Sequence, residues 1–300
     1  MQKTIIIIAG PTASGKTALS VKMAQLFNTA VISADSRQCY REISIGTAKP
    51  SPEELSAVPH YFINSHSIRE EVNAGIYEKL ALQYAAAIFE QHDVAVMCGG
   101  TGLYIRAFAE GIDDMPDISP GIRAHLNEQY ALHGLHWLQQ QLQERDPGFY
   151  ATAEIQNPQR LIRALEVLEA TGKSITAFRS ATRVQRDFNI IKIGITLPKE
   201  LLHHNIHYRV DQMIAAGLVE EVRAVNPYRE HNALRTVGYQ EIFQFLDGHL
   251  SLEQAIEDIK THTRQYAKRQ LTWFRKDKAF QWFDPRDTGN ILEYVQQKLQ

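Results

Sequence analysis

Short apolar runs alternate with helical patterns along much of the chain. Four runs have the length of strands that are buried on both faces: residues 5–9, 30–34, 94–98 and 190–195. Between the first two, apolar residues recur at helical spacing at Leu19, Met23, Leu26 and Phe27. Strands that alternate with helices in this order are typical of a parallel sheet. The pattern therefore predicts an α/β fold with a parallel-sheet core.

The sheet pattern is interrupted in the middle of the chain. From about residue 115 only helical spacing is found, with Asn157-Pro158 typical of a helix start and Gly172 of a helix end. The strand-like run that follows restores the sheet pattern. We therefore predict a discontinuous core domain, residues 1–114 and 186–300, with a helical insertion domain over 115–185.

The last third is predominantly helical and ends in a segment that is both basic and aromatic. A helical wheel places three basic side chains within about 40° of one another, namely Arg264, Lys268 and Arg275. Three aromatic side chains fall on the opposite side, namely Tyr266, Trp273 and Phe274. The pattern predicts that the aromatic side packs against the core while the basic side meets phosphate groups.

Composition limits the class of protein. The chain has 300 residues, 44% of them hydrophobic and 22% charged, which is typical of a soluble protein with one large core. The apolar run before Gly10 is only five residues long, too short for a signal peptide or a membrane span, so we expect a cytoplasmic location. Cys39 and Cys98 lack metal-binding or disulfide spacing and are predicted in the core, and His203 and His207 on a solvated helix face.

The segment GPTASGKT follows the first strand and precedes the first helix, with the spacing of a phosphate-binding loop. Main-chain N–H groups and the helix N-terminus would surround phosphate oxygens, Lys16 would add a positive charge, and Thr17 would reach Mg²⁺. The predicted phosphate site comprises Gly10, Pro11, Thr12, Ala13, Ser14, Gly15, Lys16 and Thr17. Adenylate-type kinases, NTPases and diphosphate-releasing transferases all use such a loop, so it leaves the reaction open.

The residues that follow two other predicted strands narrow the choice among these reaction classes. Kinases and ATPases usually place an aspartate after an apolar strand to organise Mg²⁺, whereas DVAVMC runs into GGTGLY at Gly99–Tyr104. These glycines are predicted to admit a substrate to the backbone, beside the hydroxyl of Thr101. Asp35 ends a different strand and is interpreted as a general base, with a metal ligand and a structural cap as alternatives.

Seven segments, in this order, resemble bacterial tRNA dimethylallyltransferases: GPTASGKT, ADSRQCY, IGTAKP, GGTGLY, QRLIRALEV, RTVGYQE and KRQLTWFRK. The resemblance implies transfer of a dimethylallyl group from its diphosphate to the exocyclic amine of the adenosine immediately 3′ of the tRNA anticodon. It implies that Asp35 is the base, that Thr101 lies near the reacting groups, and that Lys16, Arg209 and Mg²⁺ bind the diphosphate.

The resemblance also implies an RNA surface that binds the anticodon arm of tRNA while the target adenosine is flipped out of the base stack. Its implied contacts are Asp35, Ser36, Arg37, Gln38, Thr101, Arg123, Gln159, Arg160, Leu161, Ile162, Arg163, Arg235, Thr236, Val237, Gly238, Tyr239, Gln240, Lys268, Arg269, Gln270, Leu271, Thr272, Trp273, Phe274 and Arg275. A net charge of -2 is compatible with such a local basic groove but not with a wholly basic coat. Asn64 and Gln240 stand where the family pattern commonly has other residues. Separately, we expect the protein to be a monomer.

Three other functions remain compatible with parts of the sequence. A small-molecule P-loop kinase would turn over ATP without RNA, and a prenyltransferase acting on free adenine nucleotide would need no helical insertion. A non-catalytic RNA-binding protein would leave Asp35 and Thr101 without a chemical task.

Overall fold

Six strands form one parallel sheet in the computed structural model, which describes residues 2–113, 115–179 and 184–300. They are β1 (Thr4–Ala9), β2 (Val31–Ser33), β3 (His60–Tyr61), β4 (Val94–Gly99), β5 (Asn189–Ile195) and β6 (Gln281–Phe283). Their order across the sheet is β3-β2-β4-β1-β5-β6, and every pairing is parallel. The predicted parallel α/β core is confirmed, with two short strands added at the edges.

Helices surround this sheet and fill the middle and the end of the chain. They are α1 (Lys16–Leu26), α2 (Pro52–Ala57), α3 (Ala74–Phe89), α4 (Gly102–Glu110), α5 (Pro120–Arg145), α6 (Pro147–Thr152), α7 (Pro158–Thr171), α8 (Lys199–Ala215), α9 (Leu218–Val225), α10 (Tyr239–Leu246), α11 (Leu252–Phe274) and α12 (Thr288–Leu299). Short 3₁₀ helices lie at Ile175–Phe178, Asn226–Tyr228 and Asn232–Leu234. None of the helices that the structure describes is both long and apolar enough to cross a membrane.

Strand β1 is covered on both faces, which explains its unbroken apolar sequence. Ile5 and Ile7 belong to one buried cluster, with side chains of α3, α4 and α9 to α11. Ile6 and Ile8 belong to a second cluster, with side chains of α1 and α12. Because alternate residues of a strand point to opposite faces, all four isoleucines are fully buried.

The chain folds as two compact units, Met1–Gly111 with Val184–Gln300, and Ile112–Arg183. The first unit contains the sheet, and the second contains α5 to α7. The sequence placed these borders after residues 114 and 185, and residue 114 itself lies outside the described residues.

The second unit has its own apolar core. Leu126, Leu138 and Leu142 of α5 are buried with Leu161 and Leu165 of α7. Helix α5 is interrupted at Gly134, where φ is 71° and the backbone leaves the helical region. The predicted limits of α7 are confirmed: the side chain of Asn157 accepts a hydrogen bond from the Arg160 N–H, and Gly172 ends the helix with φ of 70°.

Helix α11 is turned differently from the helical-wheel prediction. Its buried side is formed by Ala267, Gln270 and Phe274, while Tyr266 is 37% and Trp273 is 41% exposed. Phe274 is buried as predicted and Trp273 packs against Gly102 while it stays partly exposed, whereas the predicted core packing of Tyr266 is wrong. Ala267, which is small, and Gln270, which carries an amide, lie on the contact surface here and let the helix approach the loops beneath it.

Candidate active site in the phosphate-loop cleft

A cleft of about 450 Å³ lies at the carboxyl ends of β1, β2 and β4 in the first unit. Parallel strands end at the same edge of a sheet, so the loops after them meet there. Among the residues singled out from the sequence, Lys16, Thr17, Asp35 and Arg209 all line this cleft. The fold thus brings the predicted phosphate site and the predicted base together.

The loop before α1 has the backbone shape of an anion cradle. Ala13 has φ of 62° and Gly15 has φ of 86°, a left-handed conformation that turns successive N–H groups toward one side. Helix α1 begins at Lys16, so its N-terminal dipole points at the same place. The buried Ser14 hydroxyl has no hydrogen-bond partner among the described residues, as expected of a group that awaits a ligand.

Two cations face this cradle. The Lys16 ammonium donates a hydrogen bond to the Pro11 carbonyl at 2.5 Å, and burial lowers the pKa of Lys16 to about 8. Arg209 of α8 donates to the Thr12 hydroxyl at 3.3 Å, and burial also lowers its pKa. Because burial penalises both charges, an anion that enters the cleft stabilises them and is held by them in turn.

Asp35 lies in the loop after β2 with its carboxylate oriented by the main chain. Its Oδ1 accepts hydrogen bonds from the N–H groups of Arg37 at 2.9 Å and Gln38 at 3.3 Å. The structural-cap interpretation is therefore correct as far as this oxygen goes. Since Asp35 also lines the cleft, capping its own loop leaves it placed for chemistry as well.

Thr101 joins the loop after β4 to the loop after β2. Its hydroxyl accepts a hydrogen bond from the Ser36 N–H at 3.0 Å, and its own N–H donates to the Ala34 carbonyl at 3.1 Å. Tyr266 of α11 lines the cleft near Thr101, and burial raises the pKa of Tyr266 to about 12. The phenol is therefore neutral near pH 7, a cleft residue that the helical wheel had assigned to the core.

The glycines of GGTGLY serve the protein's own packing. A Cβ on Gly99 would lie 2.2 Å from the Ala34 carbonyl oxygen, and one on Gly102 would lie 2.1 Å from the Trp273 indole. Gly99 and Gly100 also line the cleft, so the interpretation that these glycines admit a substrate to the backbone stays a prediction.

Glu221 of α9 holds one wall of the cleft and was missed by the sequence analysis. Its carboxylate accepts hydrogen bonds from the N–H groups of Ser44 at 2.7 Å, Ile45 at 2.8 Å and Gly46 at 3.0 Å. The phenol of Tyr239 donates to it at 2.6 Å. Three of its donors are main-chain groups, which carry no signal in the sequence.

The two departures from the family pattern occupy different environments. Asn64 accepts a hydrogen bond from the Lys49 ammonium at 2.5 Å, so a neutral amide takes the bond that an aspartate would also accept. Burial lowers the pKa of Lys49 to about 8. Gln240 is exposed and lines the cleft.

Cys39 is buried as predicted, whereas Cys98 is only partly buried and lines the cleft beside Lys16.

The residues proposed as RNA contacts divide into exposed and buried sets. The cleft is lined by Arg235, Thr236, Val237, Gly238 and Gln240, and the exposed residues of α11 and its end are Lys268, Arg269, Thr272, Trp273 and Arg275. Five side chains are buried, namely Leu161, Ile162, Tyr239, Gln270 and Phe274. The first three and Phe274 hold their helices in place and offer no side-chain surface to RNA, which corrects their selection from the sequence. Gln270 is hydrogen-bonded to the main chain of Thr12 and Gly100.

In the second unit, two arginines share one buried carboxylate. Glu166 of α7 accepts hydrogen bonds from Arg123 of α5 and, at 3.3 Å, from Arg163. Glu166 is fully buried, so its charge depends on these partners. Gln159 and Arg160 remain exposed at the start of the same helix.

The cleft suits a divalent cation that arrives with a phosphorylated ligand. Among the described residues, no group of three or more His, Cys, Asp or Glu side chains could hold a metal by itself. Mg²⁺ commonly takes one or two protein ligands and completes its shell with phosphate oxygens and water. The Thr17 hydroxyl, at the start of α1 and in the cleft, fits that limited role.

Three comparisons relate the chain to known proteins. The family model described as IPP transferase matches residues 38–277. A tRNA dimethylallyltransferase of Cytophaga hutchinsonii is 47% identical over 300 residues, covering 100% of this chain and 99% of the relative. The full-length tRNA isopentenylpyrophosphate transferase of Bacillus halodurans is similar in structure, with a TM-score of 0.73, 34% identity and coverage of 99% of this chain and 97% of that chain.

A eukaryotic protein extends the structural similarity. A dimethylallyltransferase described as acting on tRNA is 27% identical to this chain, with a TM-score of 0.74. The match covers 90% of this chain and 69% of that chain.

The lowered pKa of Lys16 predicts a pH limit for anion binding. Inorganic diphosphate should bind less tightly as the pH rises through about 8, because Lys16 loses its proton there in the free protein. Replacing Lys16→Met should weaken binding about ten- to a hundredfold at pH 7, the loss of a charge-assisted hydrogen bond, and should flatten this pH dependence. Titration calorimetry between pH 6.5 and 9.5 measures both effects.

Lys49→Met is the matched control, since the pKa of Lys49 is also lowered to about 8 but its ammonium contacts Tyr40, Ser44 and Asn64. This variant should keep the pH dependence of the unaltered protein. Identical pH profiles for the unaltered protein and Lys16→Met would contradict the assignment.

Proposed function

The chain belongs to the IPP transferase family, and we propose that it transfers the dimethylallyl group of dimethylallyl diphosphate to the exocyclic amine of the adenosine immediately 3′ of the tRNA anticodon. It is a prenyltransferase that modifies tRNA, and diphosphate is the leaving group. The observation that carries the residue-level proposal is the meeting of the phosphate loop and Asp35 in one cleft.

The phosphate loop binds the leaving diphosphate in this proposal. The left-handed residues Ala13 and Gly15 turn their N–H groups toward the anion, and Lys16 and Arg209 supply positive charge beside the loop. Negative charge grows on the diphosphate as the allylic C–O bond breaks. Hydrogen-bond donors that are already in place at that moment stabilise the transition state of bond cleavage more than they stabilise the bound substrate.

Mg²⁺ is the metal we propose for the Thr17 position. When bound, it would neutralise part of the diphosphate charge as a Lewis acid. No strand-end aspartate organises it after β4, because that strand runs into Gly99 and Gly100. This arrangement favours diphosphate release over the phosphoryl transfer of a kinase.

Asp35 is the proposed general base. As the amine nitrogen bonds to the allylic carbon, it must lose a proton, and a carboxylate at the cleft can accept it. The bonds from Arg37 and Gln38 hold Oδ1, so the carboxylate is positioned before the substrate arrives. Thr101, which fixes the same loop through Ser36, is proposed to hold the reacting groups in line.

The anticodon arm is proposed to bind the exposed basic residues that border the cleft. Arg235 and Arg269 line the cleft itself, and Lys268 and Arg275 are exposed nearby on α11 and at its end. The reactive adenosine must leave the base stack to reach Asp35, so the flanking nucleotides need such anchors. We propose that the second unit contributes Gln159 and Arg160, and that the protein acts as a monomer in the cytoplasm.

Nucleoside mass analysis tests the reaction. Unmodified tRNA incubated with the protein, Mg²⁺ and dimethylallyl diphosphate should yield prenylated adenosine at the position 3′ of the anticodon. Parallel reactions contain free AMP as acceptor, or ATP in place of the prenyl donor. Prenylated AMP with unmodified tRNA would favour the free-nucleotide transferase, and ATP turnover alone would favour a kinase or ATPase.

Asp35→Asn should abolish most of the transfer while leaving RNA binding nearly unchanged. The amide oxygen still accepts the hydrogen bonds from Arg37 and Gln38, but it cannot take the amine proton. Single-turnover rates should fall about 10²- to 10⁴-fold, the usual contribution of a general base. Asp187→Asn, at an exposed position, is the control. An equal loss of tRNA affinity and rate in Asp35→Asn would remove the base role.

Replacing Lys268 and Arg275 together by glutamine should weaken tRNA binding and reduce its dependence on salt. Each phosphate contact that is lost should lower the slope of log K against log salt by about 0.7 to 0.9. Filter binding at a series of salt concentrations measures the slope. Lys22→Gln with Lys298→Gln, at exposed sites on α1 and α12, is the control. An unchanged slope in the first pair would contradict the placement of RNA on α11.

A further inference from the structure

A single buried amide links three segments of the cleft. Gln270 lies on α11 and is only 6% exposed. Its Oε1 accepts a hydrogen bond from the main-chain N–H of Thr12 at 2.8 Å, and its Nε2 donates to the main-chain carbonyl of Gly100 at 2.9 Å. The bonds connect α11 to the phosphate loop on one side and to the loop after β4 on the other.

Glutamine is specifically suited to this position. One bond needs an acceptor and the other needs a donor, and a carboxamide provides both in one planar group. A Cβ on Gly100 would lie 2.2 Å from the Gln270 nitrogen, so the amide fills the space that this glycine leaves open. The bond to Gly100 is buried and the bond to Thr12 is partly buried, so losing the former leaves an unsatisfied polar group in the interior.

The two loops that Gln270 connects carry the groups of the proposed reaction. Thr12 also accepts the hydrogen bond from Arg209, and the residue after Gly100 is Thr101, which holds the Asp35 loop through Ser36. On α11, the neighbours Lys268 and Arg269 are exposed. A shift of this helix would therefore move the proposed RNA anchors relative to both the diphosphate site and the base.

We propose that Gln270 is a positioning residue that fixes the register between the RNA-binding helix and the phosphate loop. This role rests on the proposed function. The oxygen and nitrogen of Gln270 are bonded to the main chain of Thr12 and Gly100, so in this proposal the residue acts through the two loops and not through a substrate. It acts by aligning the acceptor amine with the allylic carbon, so its loss lowers the rate of the bound complex more than it lowers the binding of either substrate.

The test compares two substitutions with a matched control. Gln270→Met keeps the length of the side chain and removes both hydrogen bonds. Gln270→Glu keeps the acceptor for Thr12 and loses the donor for Gly100. Gln265→Glu places the same new charge at an exposed position of α11. For each, kcat and the KM values for tRNA and dimethylallyl diphosphate are measured per folded molecule, with the folded fraction taken from circular dichroism.

Both Gln270 variants should lose about ten- to a hundredfold in kcat, the usual cost of misplacing reacting groups by about 1 Å. Their KM values should stay within about threefold of the unaltered protein, and Gln265→Glu should keep its kcat. Unchanged kcat per folded molecule in both variants would overturn the proposal, as would failure of both to fold. Absence of transfer by the unaltered protein would instead overturn the proposed function, so the two failures are distinguishable.

Discussion

The close contact between the main chains of Gly99 and Ala34 is the constraint on which the rest of the cleft depends. Strands β2 and β4 pair in parallel up to this point, and a side chain on Gly99 would collide with the Ala34 carbonyl. The contact allows Thr101 to bond to both Ala34 and Ser36, which fixes the Asp35 loop. The phosphate loop is tied to the same place through Gly100 and Gln270. Asp35, the phosphate loop and helix α11 therefore share one fixed reference.

Sequence reasoning succeeded where the required residues are neighbours in the chain. The phosphate loop is one continuous segment, Asp35 ends a recognisable apolar strand, and the limits of α7 follow from a local cap and a local stop. It failed where the partners are distant. Glu221 bonds to Gly46, and Gln270 bonds to Thr12, across 175 and 258 positions. Since these partners are main-chain groups, no pattern of side chains in the sequence predicts the contacts.

The error on α11 has a physical cause that applies beyond this helix. A helical wheel assigns the largest apolar side chains to the buried side, because they gain most from leaving water. Here Gly102 and Gly100 receive Trp273 and Gln270 at very short distances, so the helix is held by close backbone approach and by hydrogen bonds. Tyr266 is thereby left at the cleft, where a neutral phenol adjoins Thr101. Hydrophobicity alone cannot anticipate an orientation that glycines on another segment decide.

Charge is arranged locally in a chain whose net charge is only -2. In the second unit, Arg123 and Arg163 both pair with the buried carboxylate of Glu166. In the first unit, Lys268 and Arg269 are exposed beside the cleft. The described contacts do not pair either of them with a carboxylate. Because screening in physiological salt limits electrostatic interactions between exposed groups to about 8 Å, the overall charge matters little to a bound polyanion. A short basic surface next to the cleft is therefore enough for the RNA contact proposed above, because local charge rather than net charge decides how a polyanion binds.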